Sequence, residues 1–441
     1  MSFQNKYLKY KNKYLDLKNQ IGGSAGTGAS IIQTHVHSTN PVNHFTHTTS
    51  KYFINAGMST SIGGSSNERR YKKRDTQNGN QDTGDMSIID PDILYSLIAD
   101  GHGLYGREVS QLITEFVKEL LINRKDELRN DSSARAFLTE ICDRSEEYIK
   151  QILIKESITD GFPLITTNKE DRKGVIEDDG YIIRRKYRTS MWENVSGGTT
   201  FTLIVMVGNL LYVVELGDSD AYLITPEPIL SEAEHIEYVF DTIDSEQIKP
   251  TNETKTSILK ISSCPSLEDR KEYDRIKASN GRVIFPNSER DIFNSETGKL
   301  EKGDTYKTVK KEWAITQMPP SDARFSNSGL SMPRSLGDFN EKHYGISPKP
   351  VITCIDLNKI PGIICIFVAS DGVHDNWIED HIQKFIMDKS FLGEVAVTSV
   401  IPKGAFRVSE SFRLINERYG KTNFGDQQDN ATNCNIYLFP R

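Results

Sequence analysis

Asp100, Asp218, Asp371 and Asp429 share one local setting: each is a carboxylate at the end of an apolar run, beside glycine, serine or asparagine. Asp100 follows LYSLIA, Asp218 follows LLYVVELG, Asp371 follows IFVAS, and Asp429 precedes Asn430 and the last apolar run. Strand ends converge where a sheet opens to solvent, so such side chains can meet in one cleft. Gathered there they repel one another unless a cation neutralises them. Oxygen-only donors favour Mg2+ or Mn2+ over zinc or copper. Alone, a strand-end aspartate is usually a turn residue or a helix cap. Its recurrence, with His102 directly after Asp100-Gly101, is what points to chemistry.

Those positions need strands to hold them. The run Asp92 to Ala99 (DILYSLIA) reads as a strand entering a loop. Thr202–Val207 and Leu210–Leu216 flank Gly208-Asn209, a connection suited to a β-hairpin. Ile363–Ala369 is another strand-length run, and Cys434–Phe439 reads as a closing strand. Val109, Leu112, Ile113, Phe116 and Leu120 recur at helical spacing, as do Phe137, Ile141, Tyr148, Ile149 and Ile152. Phe412, Ile415 and Tyr419 mark a late helix closed by Gly420. Tightly joined strand pairs, with helices arriving in pairs, predict an α+β fold: two packed antiparallel β-sheets flanked by helical layers, an αββα sandwich. They speak against a doubly wound parallel sheet.

The chain has 441 residues, with 54 Lys+Arg against 61 Asp+Glu and a formal charge of −7. That balance argues against a general nucleic-acid binder. The most apolar stretch, Phe201 to Leu216, is broken by Gly208-Asn209 and carries Glu215, so no transmembrane segment is expected. Five cysteines with no CxxC pair fit reduced thiols in a cytoplasmic compartment. Residues 1–23 read as a basic helical arm, and this arm is similar to a leader that recurs on proteins of giant DNA viruses, which would make virion association one destination. Residues 24–50 read as a flexible linker, in which His35, His37, His44 and His47 have no cysteine or acidic partner for a metal site. Residues 51–441 read as one domain, with polar excursions at 156–195 and 286–327.

Eight segments, in order, give the chain its resemblance to a known family: NQD (Asn80–Asp82), IADGHGLYG (Ile98–Gly106), SGGTT (Ser196–Thr200), LYVVELGDSDAYL (Leu211–Leu223), EYDRIKASNGRV (Glu272–Val283), LSMPRSLGDF (Leu330–Phe339), VASDGVHDNW (Val368–Trp377) and DNAT (Asp429–Thr432). Together they resemble the metal-dependent protein serine/threonine phosphatases of type 2C. The resemblance implies two or more Mg2+ or Mn2+ ions, with Asp100 bridging two of them and the Gly101 carbonyl, Asp371 and Asp429 completing one shell. It implies that Gln81 and Asp82 serve the second ion, that Asp218 lies close by, and that His102 is the general acid. Phosphorylated proteins would be the substrates. A catalytically silent phosphoprotein binder is the alternative, because Gln81 stands where many members have glutamate and Gln77 where many have an arginine; Asp220, where many have another arginine, reverses a charge near Asp218. SGGTT reads as a turn and strand start behind the site, and Arg334 with Asp338 as an internal ion pair or cap. Asp375 reads either as a water-mediated metal contact or as a helix cap.

Overall fold

The computed structural model describes residues 43–61, 80–103, 105–158, 176–178, 181–185, 192–194, 197–267, 269–284, 292–294, 299–301, 314–316, 330–374, 377, 379–388, 405, 408–414 and 429–441. The arm at 1–23, His35, His37, Gln77, Asp375, the helix end at 415–420 and most of both polar excursions lie outside the described residues.

Two antiparallel sheets form the centre. One has six strands in the order Asn43–Thr48, Tyr52–Ser61, Ala431–Pro440, Ile364–Ala369, Asp220–Ile224, Ile258–Lys260. The other has seven: Glu246–Ile248, Ile236–Asp241, Val351–Asp356, Leu210–Leu216, Phe201–Val207, Ile93–Ala99, Thr83–Asp90. The expected hairpin is present, with Val207 opposite Leu210 and Gly208 at φ 59, a conformation glycine adopts without a Cβ penalty.

Side chains alternate between the two faces of each strand. Phe201, Leu203, Val205, Tyr212 and Val214 pack with Val109, Ile113, Phe137 and Ile141 of the helices Gly106–Asn123 and Asp131–Ile158. Ile204, Met206, Leu211 and Val213 pack instead with Ile54, Ile366, Val368 and Ile436 of the other sheet. That sheet's remaining face, with Tyr222, Phe367 and Tyr437, is covered by Ile382 and Ile386 of the helix Glu379–Ile386 and by Phe412 of the helical residues 408–414. The layer order is helix, sheet, sheet, helix, as expected. Each fully buried Leu, Ile or Val contributes roughly 1.5–3 kcal/mol to holding these layers together. Phe116, expected in the core, is half-buried and stacks on Tyr148 of the neighbouring helix at a ring separation of 4.3 Å.

Asn43–Thr48 falls in the stretch read as linker, yet it pairs in full with Tyr52–Ser61 as an edge strand. Phe45 packs against the inter-sheet core, which the polar composition around it concealed. His47 Nε2 lies 2.7 Å from the Pro91 carbonyl oxygen, a strand-edge contact. All five cysteines are free thiols. Among the described residues no helix is long and apolar enough to cross a membrane.

At one end of the sandwich a small sheet ties distant loops together. Its strands run Leu336–Gly337, Gly198–Thr199, Gly101–His102, with Thr199 between Leu336 and Gly101 and Gly198 between Gly337 and His102. This sheet positions the candidate site.

Candidate active site

The acidic side chains at the strand ends act on one another. Asp100 ends Ile93–Ala99, Asp82 precedes Thr83–Asp90, Asp371 follows Ile364–Ala369, and Asp429 precedes Ala431–Pro440. Burial and the charges of Asp82, Asp371 and Asp429 push the Asp100 carboxyl well above the ordinary carboxylate range. Burial, then the charge of Asp429, raise Asp82 to about 6, although hydrogen bonds favour its ionised form. The Asp82 and Asp100 carboxyls act directly on one another. Two carboxylates cannot both stay ionised in such contact without a counter-charge.

The scaffold around Asp82 is fixed by hydroxyls. Ser370 Oγ donates to Asp82 Oδ2 at 2.8 Å and accepts from the Thr432 backbone N–H at 2.9 Å. One serine therefore joins the strand that delivers Asp371 to the strand that follows Asp429. Asn80 accepts the Asp82 N–H and donates to Thr60, which bonds Thr432 in turn. Asp82 Oδ1 is buried with no protein donor in hydrogen-bonding geometry. A buried, unserved carboxylate oxygen within a group of carboxylates suits a hard divalent cation. The fit is one of charge and donor type. Among the described residues, no three His, Cys, Asp or Glu side chains already stand in the geometry of a metal site.

His102 is held from the other side. Its Nε2 lies 2.6 Å from Asp338 Oδ2, and Asp338 is 2% exposed. Burial alone would lower the imidazole pKa, but Asp338, with Asp218 and Glu341, raises it above the usual histidine value. The same pairing holds the Asp338 carboxyl below its usual range despite burial. Ser335 Oγ donates to the same Asp338 oxygen at 2.6 Å, and the Asp338 N–H donates to the Gly197 carbonyl. Asp338 sits at φ 45, a left-handed conformation uncommon outside glycine. A Cβ at Gly198 would overlap its carboxylate, so the second glycine of SGGTT leaves the space in which Asp338 reaches His102.

The expected pairing within the PRSLGDF loop is therefore corrected. Arg334, 1% exposed, bonds Asp241 at 2.8 Å and Glu272 at 2.5 Å instead of Asp338. Those acids lie far upstream in sequence, so local spacing gave no sign of them. Asp338 was missed as a partner of His102 for the same reason. The small sheet places His102 and Gly198 side by side, and Asp338 directly follows its third strand, Leu336–Gly337.

The remaining expected residues take these places. Gln81 donates its side-chain amide to the Gly103 carbonyl at 2.8 Å, bracing the loop after His102. Gly101 is buried in the small sheet opposite Thr199. Asp218 is raised to about 6, chiefly by burial and against the pull of His102, with Asp220 and Asp429 adding repulsion. The acid at Asp220 does not stand alone: Lys260, opposite Tyr222 on the adjoining strand, pairs with it at 2.7 Å. The charge reversal seen in the sequence is thus compensated one strand away.

Glu215, near the end of Leu210–Leu216, accepts the backbone N–H groups of Ser263 and Cys264. Burial first, and then Asp220, push its carboxyl up to about 8, with Lys260 opposing. Its folded pKa lies above its unfolded one, so the stability linked to its proton is full at low pH and is lost as pH rises through about 8. Glu215→Gln keeps an oxygen for both N–H groups and removes the charge. It is expected to gain roughly 1–4 kcal/mol over the wild type as pH rises from about 5 to about 8, in paired urea unfolding curves. An unchanged difference between the two proteins across that range would show that Glu215 stays ionised.

No family model matches the chain. Among curated proteins it is 27% identical over 192 residues to probable protein phosphatase 2C 61 of Arabidopsis thaliana, a match covering 44% of this chain and 43% of that protein. It is 23% identical over 315 residues to probable protein phosphatase 2C 35 of the same plant, covering 70% of this chain and 68% of that one. The first match thus spans less than half of its relative's length. Among solved structures, the serine-threonine phosphatase 2C from Toxoplasma gondii aligns over 91% of this chain and all of its own, with a TM-score of 0.54 at 14% identity. The fold is shared with that phosphatase, and the chain is similar in sequence to proteins named as type 2C phosphatases.

Proposed function

We propose that the chain is a metal-dependent phosphatase that hydrolyses phosphoserine and phosphothreonine in proteins. The observation that carries this reading is the mutual repulsion of Asp82, Asp100, Asp371 and Asp429, with His102 two residues from Asp100. Asp82, Asp100, Asp371, Asp429 and the Gly101 carbonyl would hold Mg2+ or Mn2+, with Asp218 beside them. Bound ions of this kind supply an acidified water and neutralise charge on phosphoryl oxygens.

The chain's own groups do the rest. Ser370 and Asn80 keep Asp82 in place, and Gln81 braces the loop that carries His102. The leaving group is a serine or threonine alkoxide, which departs poorly unless protonated. His102, whose pKa the paired Asp338 raises, is the proton donor to that oxygen.

The test is phosphate release from a phosphothreonine peptide by the purified chain, with Mn2+ or with chelator, alongside Asp371→Ala. Release that needs the ion and falls at least about 100-fold in the variant supports the reading. Release unaffected by chelator rejects it. No release at millimolar Mn2+, with retained binding of the phosphopeptide, would favour the silent binder instead, in which Gln81 serves only the Gly103 loop.

A further inference from the structure

We propose that Asp338 is the positioning residue for His102, fixing the imidazole through Nε2 and thereby assigning proton donation to Nδ1. This rests on the phosphatase reading above and names a part of the machinery that reading leaves open.

An imidazole has only two ring nitrogens, and Nε2 is committed to a carboxylate oxygen at 2.6 Å. A proton for the leaving group must then come from Nδ1. As the P–Oγ bond breaks and a P–O bond to water forms, the Nδ1 proton passes to the serine or threonine Oγ. The attacking water yields its proton to solvent, and the neutral imidazole regains one from solvent. Nothing else is consumed.

The pairing is built at some cost. Asp338 holds a left-handed backbone at φ 45, its carboxylate fills the space left by the absent side chain at Gly198, and Ser335 donates to the oxygen that faces His102. Arg334, buried between Asp241 and Glu272, pins the near end of the same loop. Four features thus converge on one carboxylate. A carboxylate placed behind an imidazole in this way restricts its rotation and its tautomer.

The experiment compares wild type, Asp338→Asn, Ser335→Ala, His102→Gln and the Asp338→Asn/His102→Gln pair on two substrates. One is a phosphothreonine peptide, the other p-nitrophenyl phosphate, whose leaving group departs without a proton. Asparagine tolerates the left-handed backbone, so Asp338→Asn keeps the loop while exchanging the carboxylate for an amide. It is expected to lower kcat on the peptide about 100-fold, with KM within about twofold and aryl phosphate turnover within about threefold. Added to His102→Gln it should cost nothing more, because both act through one proton transfer. Ser335→Ala should show the same substrate bias at about threefold, and it carries the test if thermal unfolding shows Asp338→Asn to be misfolded. Equal losses on both substrates, or losses that multiply in the double variant, overturn the proposal. An active wild type with an unbiased Asp338→Asn rejects this assignment alone. An inactive wild type on both substrates rejects the phosphatase reading and this assignment together.

Discussion

Asp100→Asn is expected to lower phosphate release from a phosphothreonine peptide by about 1,000-fold or more, while making the metal-free protein harder to unfold. The two effects share one cause. Asp100 feels the charges of Asp82, Asp371 and Asp429, and its carboxyl resists ionisation as a result. Asparagine preserves the side-chain outline and leaves untouched the backbone bonds that Asp100 makes with Thr200. It removes a carboxyl that must either ionise against its neighbours or take up a proton on folding, which should raise stability in chelator by roughly 1–3 kcal/mol near neutral pH. The same removal takes away the oxygen charge that a divalent ion would need. Phosphate release and thermal unfolding, both followed with and without Mn2+, separate the outcomes. A variant that is less stable than wild type in chelator, or within tenfold of its activity, would show that Asp100 is not the centre of the acidic group.

Arg334→Met is expected to destabilise the protein by about 3–5 kcal/mol, because it strands acids in the interior. Arg334 Nη2 reaches both Asp241 and Glu272, and Nη1 also donates to Asp241 and to the Lys349 carbonyl. Glu272 is 1% exposed, so its charge has little water to fall back on. Arg275 also contacts Glu272, at 2.6 Å, but is itself engaged with the Gly345 and Pro333 carbonyls. Pairing Arg334→Met with Glu272→Gln should recover a large part of the loss, since the uncompensated charge goes with it. Urea unfolding of the two variants measures this directly. A loss under about 1 kcal/mol for Arg334→Met would mean that solvent or Arg275 serves the acids equally well.

Much of the architecture was readable from local pattern. The apolar runs within 93–99, 201–207, 210–216, 364–369 and 434–439 lie in strands because alternate residues must fill two cores, and the runs are long enough to do so. The helices at 106–123 and 131–158 announce themselves by one buried stripe each. The edge strand Asn43–Thr48 did not, because an edge strand with one wet face keeps polar residues and its single anchor, Phe45, looks like an isolated aromatic. In the candidate site, strand-end acids were visible as a recurring local context, and their mutual influence follows from the sheet topology. The partners of His102, Arg334 and Asp220 were not visible. Asp338, Glu272 and Lys260 meet them only after distant strands and loops have packed, and a charge gives no hint in sequence of which opposite charge it will find.

The strand Ala431–Pro440 lies inside its sheet, between Tyr52–Ser61 and Ile364–Ala369, and it follows directly on Asp429. During synthesis the two neighbours emerge long before the strand that must separate and join them. Until it arrives they present bare edges, and the acidic group lacks a member. Closure of this sheet and completion of the acidic group therefore come together, when one strand docks between two others distant from it in sequence.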